Sequence, residues 1–217
     1  MIIPPSPLAR VSATWLWFLV CPVLMFFPAA VRTICPHPYL SVYYEILFVG
    51  LVPVLFITFG SEKLSEYGIT GRGLAKSLFG SLVFVAADRT CSWLISGHWM
   101  SFYTWHPSLS FPAKVYYASL GIFAFGPLEM FFIIYLVRNT EQAFQGRFGG
   151  FLLSLTVTAF LFGLSHIFYG LGCALEIGVT CFVLGLIFGW TQNSIGPMLG
   201  WTLLDQQVWS LASMLWS

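Results

Sequence analysis

Glu129 and His166 are two ionisable residues set in apolar runs on either side of one glycine-rich turn. Glu129 stands in Gly126-Pro-Leu-Glu-Met-Phe-Phe-Ile-Ile-Tyr-Leu, and His166 closes Phe-Leu-Phe-Gly-Leu-Ser-His. Between them Gly146-Arg147-Phe148-Gly149-Gly150 reads as a reversal, since glycine takes the positive φ values that turns need. In an antiparallel helical hairpin, residues equidistant from the turn lie at equal depth. The two are therefore expected as neighbours, roughly 25 Å in from the turn at about 1.5 Å per residue. A carboxyl buried there must protonate or find a donor, so the pair suits either acid–base chemistry or a structural role. His166 and Glu176, on either side of the Tyr169–Gly172 turn, form a competing structural pair.

Three further polar groups interrupt apolar stretches. Asp205 lies in Trp201-Thr-Leu-Leu-Asp-Gln-Gln, the most polar part of the last helix, where it can bind a neighbouring helix or a substrate. Glu45 follows Tyr43-Tyr44 and reads as interfacial or bonded to a tyrosine. Asp88 and Arg89 are sequence neighbours, so their side chains diverge by about 100° on a helix. They are expected to pair with other helices rather than with each other.

The elements that position these groups follow from composition. Of 217 residues, 58% are hydrophobic and 8% charged, and the mean hydropathy is +0.85. A soluble domain carries about 25% charged residues, so the expectation is an all-α, polytopic transmembrane bundle with the lipid bilayer as its first partner. Pro4, Pro5 and Pro7 before a long apolar run argue against a cleavable signal. A net charge of +1 gives no basic stripe for nucleic acid. Cys21, Cys35, Cys91, Cys173 and Cys181 have no C-x-x-C spacing and read as small apolar residues; no metal site or cofactor is expected from them.

About seven spans are expected, each near the 20 residues a bilayer requires: Ala13–Val31, Leu40–Phe59, Ser77–Ser96, Lys114–Arg138, Phe151–Tyr169, Cys173–Thr191 and Pro197–Trp216. Trp15 and Trp17 anchor the first. Ser61–Lys76 is the one clearly polar connection, and Gly97–Pro112 has an interfacial composition. Residues 1–217 read as one domain. Lys and Arg in the connections favour a cytoplasmic N-terminus, with Arg10, Lys63, Arg72, Lys76, Arg138 and Arg147 on that side and Arg32 and Lys114 opposite. Gly185 and Gly189 form a small-x-x-x-small face for close helix packing.

Phe162-Gly-Leu-Ser-His166, Glu129 with the aromatic run after it, and Gly185-Leu-Ile-Phe-Gly-Trp190 leading through Ser194-Ile-Gly-Pro-Met-Leu199 resemble one family in order and spacing. Tyr67-Gly-Ile-Thr70 adds to the likeness. The family is that of the membrane-embedded CAAX-protease and bacteriocin-processing (CPBP, or ABI) proteins. It is marked by Glu-Glu-x-x-x-Arg, Phe-x-x-x-His and His-x-x-x-Asn/Asp on successive helices. The resemblance covers about residues 68–206 and implies a CPBP-like helical core. It also implies an acid-activated water, with histidines and Asn/Asp stabilising an oxyanion, and places Glu129, His166 and Asp205 at those positions. The chain departs at three places: Leu128 replaces the first glutamate, Ile133 the arginine and Trp201 the last histidine. Counted from the turn before Pro197, Asp205 lies only about 15 Å in at about 1.5 Å per residue. That separates it from His166 unless the last helix starts inside the bilayer.

The leading expectation is a CPBP-like protein with a degenerate site, catalytically inactive and acting as a binding or structural subunit of a membrane complex. One alternative is an active intramembrane endopeptidase using Glu129 as base with His166 and Asp205 as donors. Another is a pigment- or haem-binding subunit ligated by His98, His106 or His166.

Overall fold

The computed structural model describes residues 45–60, 62–98, 110–143 and 150–213, with isolated residues before Glu45. The expected first span Ala13–Val31, the Gly146–Gly149 part of the turn, His106 and the last residues of the expected seventh span lie outside the described residues. The described residues are all-helical, with no strand among them. A π-helical turn, Glu45–Gly50, leads into α1 (Leu51–Gly60), and α2 is Leu74–Ser96. Next come α3 (Phe111–Tyr116), α4 (Glu129–Ala143), α5 (Gly150–Ser165) and α6 (Leu171–Thr191). The chain finishes with α7 (Ile195–Leu204) and α8 (Gln206–Ser213).

Three helical stretches are long and apolar enough to cross a membrane: Leu74–Ser96, Phe111–Gln142 and Leu171–Thr191. The second is continuous from α3 through α4 by way of π-helical turns at Tyr117–Gly121 and Ala124–Leu128. It is the axis of the bundle, because 78% of its apolar window is buried by the protein against 11% for α2. The remaining apolar surface of α2, α5 and α6, including Phe79, Leu82, Phe160 and Val179, faces outward. An apolar outer face of this kind suits hydrocarbon rather than water.

Two of the expected spans differ from the observed helices. α5 ends at Ser165, and a short 3-10 turn, Ile167–Tyr169, follows it. The last span is not one helix, for α7 stops at Leu204 and α8 starts at Gln206. The break is at Asp205, whose extended backbone (φ −68°, ψ 119°) cannot continue the helix.

Small residues let α5 and α6 approach. An added Cβ at Gly163 would lie 2.6 Å from the Ala174 carbonyl, and one at Gly185 would lie 2.2 Å from Leu155. Gly189 likewise receives the Phe151 ring, so the small-residue face read from the sequence is the packing face. The core around it joins Met130, Ile133, Leu155, Phe162, Cys181, Leu184, Phe188 and Trp201.

Candidate functional site

Pro127 lies inside the π-helical turn that precedes α4. Proline donates no backbone N–H and its ring crowds the preceding turn, and a widened turn accommodates both. Widened single turns of this kind are frequent at functional sites. Here it delivers Glu129 at the first position of α4, with the Glu129 N–H on the Gly126 carbonyl. Gly126 is needed as glycine, because a Cβ there would lie 2.6 Å from Thr202 Oγ1. That close approach brings Trp201 of α7 onto the same turn.

The Trp201 indole Nε1 donates to Glu129 Oε2 at 3.0 Å and to the Phe125 carbonyl at 3.0 Å. Both residues are buried, Glu129 at 6% and Trp201 at 4% exposure. The Phe162 ring meets Trp201 edge-on at 6.0 Å and lies 5.0 Å from the His166 ring. Glu129, Trp201, Phe162 and His166 thus form a continuous row across α4, α7 and α5. Glu129 and His166 share one end of their helices as the hairpin geometry predicts, but they do not bond directly. His166 Nδ1 is 2.9 Å from the Phe162 carbonyl and 3.1 Å from Ser165 Oγ. A carbonyl only accepts, so Nδ1 carries the proton in that bond and Nε2 is left without a hydrogen-bond partner among the described residues. Among the described residues His166 makes no bond to Glu176, the alternative partner, which is exposed.

Asp205 follows Trp201 by one helical turn. Its Oδ1 accepts from the Val208 N–H at 3.0 Å, the geometry of an N-cap on α8. Its depth relative to His166 is corrected by the start of α7. Trp201, only six residues into α7, meets Phe162, twelve residues into α5. The last helix therefore starts well inside the level at which α5 starts, so Asp205 and His166 each lie one turn beyond this layer. Cys181 of α6 is fully buried in the core beside this row.

Asp88 and Arg89 correct a second expectation, because they do pair with each other: Arg89 Nη2 lies 2.8 Å from Asp88 Oδ2. The long guanidinium stem spans the angular gap that the backbone sets. Arg89 Nη2 is also 3.5 Å from the Leu204 carbonyl, so the cation sits at the C-terminal end of α7, where the helix dipole favours it.

The positions where the resemblance expects the first acid and the arginine are filled by packing. Leu128 occupies the space over Gly50, where an added Cβ would fall 2.3 Å from its Cδ2. Ile133 is fully buried in the main core. Among the described residues no three His, Cys, Asp or Glu side chains converge as metal ligands would. His98 is exposed and distant in role from this row, its backbone N–H bonding Ser96 Oγ at 3.2 Å.

The donor function of Trp201 is not legible in the sequence, where tryptophan registers only as the loss of an imidazole. A second unforeseen feature joins two stretches that carry the resemblance. The Ser194 N–H donates to the Gly68 carbonyl at 3.0 Å, and Asn193 Nδ2 donates to the Thr70 and Arg72 carbonyls at 2.6 and 3.0 Å. Gly68 (φ +83°) and Gly73 (φ +71°) supply the left-handed backbone this clasp requires, and a Cβ at Gly73 would fall 2.4 Å from the Thr191 carbonyl. No family model, no curated protein and no solved structure matches this chain, so the likeness of its motifs rests on these residues alone.

Proposed function

We propose that this chain is a multi-pass integral membrane protein with a CPBP-like core and a closed protease-type site. In this reading it is catalytically inactive and acts as a binding or structural subunit of a membrane complex. Its N-terminus is cytoplasmic, as the distribution of Lys and Arg favours. The single observation that carries the reading is the Trp201 indole donating to Glu129 Oε2. A general base must reach the water it activates, and an oxyanion needs donors aimed at its developing charge. An indole N–H turned onto the carboxylate supplies neither a base nor a second proton carrier. Leu128 and Ile133, both placed by apolar packing, leave no second acid or cation beside Glu129 at those positions.

The test is extraction of the tagged protein from its own membranes in a mild detergent, followed by measurement of particle mass and of co-purifying chains. A stoichiometric larger complex is expected. A lone monomer or homodimer with measurable peptidase activity overturns the reading.

One observation favours an active endopeptidase instead: His166 Nε2 bonds no described residue while Nδ1 is fixed by the Phe162 carbonyl. That enzyme would cleave membrane-proximal peptide bonds, with loss of cleavage in Glu129→Ala. No cleavage by the purified wild-type chain over a panel of membrane-proximal peptides counts against it.

A further inference from the structure

Lys63, Arg72 and Lys76 differ in their surroundings from Arg89 and Arg138. Arg89 and Arg138 are held by Asp88 and Glu141 at 2.8 Å each. The side chains of Lys63, Arg72 and Lys76 make no hydrogen bond or ion pair with a described residue, and all three are exposed. Lys63 and Arg72 lie in the connection before α2 and Lys76 in the first turn of α2, and the Asn193 clasp grips the carbonyl of Arg72 itself. Nearby acids do not neutralise them. Glu62 accepts from Tyr67, Glu141 is taken by Arg138, and Glu66 alone remains exposed.

This ledge stands at the head of an apolar outer face, where Phe79 and Val83 of α2 are exposed beside Trp190 of α6. Lys76 is one helical turn before Gly80 on α2. Gly80 faces Ile187 and Trp190 of α6, with an added Cβ 3.4 and 3.6 Å from them. Trp190 is 67% exposed beside it. Tryptophan prefers the membrane–water interface, where an amphipathic ring meets headgroups. Basic side chains near an anionic membrane surface each gain about 1 kcal/mol.

We propose that Arg72 and Lys76 bind the phosphate of an anionic phospholipid whose acyl chain lies along the exposed apolar face formed by Phe79, Val83 and Trp190. The ligand is a lipid because Lys76 lies within two turns of Phe79 and Val83 on α2, so cation and exposed apolar face adjoin. A soluble anion would use only the ledge. This proposal rests on the membrane reading and is independent of whether the Glu129 site is active.

The test places the purified full chain in nanodiscs of equal phosphatidylglycerol and phosphatidylcholine. Lipid retained after transfer to detergent is then counted by native mass spectrometry. Wild type is expected to retain phosphatidylglycerol preferentially. Arg72→Gln and Lys76→Gln should each lower that preference about fivefold, while Arg72→Lys and Lys76→Arg keep it. Melting curves matching wild type identify the variants that are folded. Equal retention of both lipids by wild type, or an unchanged preference in both glutamine variants, overturns the proposal. Stabilisation by inorganic phosphate alone in lipid-free detergent, lost in the same variants, reassigns the ledge to a soluble anion and overturns the lipid assignment.

Discussion

Trp201 and Glu129 are joined by a hydrogen bond of 3.0 Å between the indole Nε1 and carboxylate Oε2, and the same N–H also meets the Phe125 carbonyl. One donor therefore ties α7 to both the side chain and the backbone of the π-helical turn. A buried carboxyl needs donors, so tryptophan at this position has a structural consequence.

Replacing Trp201 by Phe keeps most of the apolar volume and removes the only donor the indole has. We expect Trp201→Phe to lower stability by about 1–3 kcal/mol through the lost hydrogen bonds to the buried Glu129 carboxyl and the Phe125 carbonyl. Trp201→Phe combined with Glu129→Leu is expected to cost less than the sum of the two single changes, because both remove the same hydrogen bond. Thermal unfolding in a single detergent measures both. Trp201→His restores an imidazole to the place the resemblance gives one, yet Leu128 and Ile133 remain. No peptidase activity is expected from it, and any activity dependent on Glu129 would overturn the inactive reading.

Much of this row could be read before the structure, and for a physical reason. Depth in a helical hairpin depends only on rise per residue and on where the turn falls, so Glu129 and His166 came to the same end. Direction and break points depend on tertiary contacts instead. Asp88 and Arg89 pair because a guanidinium stem is long enough to bend back, which an angular argument on Cβ positions ignores. The helix break at Asp205 needs knowledge that its carboxylate caps the Val208 N–H. The start of α7 is set by the Asn193 clasp, a long-range contact between Gly68–Arg72 and Thr191–Ser194 that no local periodicity encodes. Membrane composition was legible throughout, since it is a property of the residues and needs no geometry.

Asp205 separates a capping role from a chemical one. As the N-cap of α8, it needs only an acceptor oxygen. Asp205→Ala should cost about 1 kcal/mol, and Asp205→Asn, which keeps the oxygen, only a few tenths. Limited proteolysis of the α8 segment together with unfolding midpoints reads the difference. If Asn instead behaves as Ala does, the negative charge rather than the cap is what the site uses.

Asn193 makes the most of one short side chain. Nδ2 donates to the Thr70 and Arg72 carbonyls, and Oδ1 accepts from the Ile195 N–H at 3.0 Å, which satisfies a donor in the first turn of α7. Asn193→Ala removes all three bonds, an expected loss of roughly 3 kcal/mol at about 1 kcal/mol each. Asn193→Asp keeps the acceptor but turns a carboxylate towards two carbonyls, so it should fare no better. The loss should be local in its first effect. Amide exchange at Ser194, whose N–H bonds the Gly68 carbonyl, should quicken before that of Leu155 or Ile133 in the core, because a clasp opens before a bundle melts. The same opening frees the backbone of Arg72, so the variant should also lose preference for anionic lipid although no charge has been removed. Unchanged exchange at Ser194 would mean that the close packing of Gly68 and Gly73 against Thr191–Ser194, rather than the Asn193 amide, holds the connection in place.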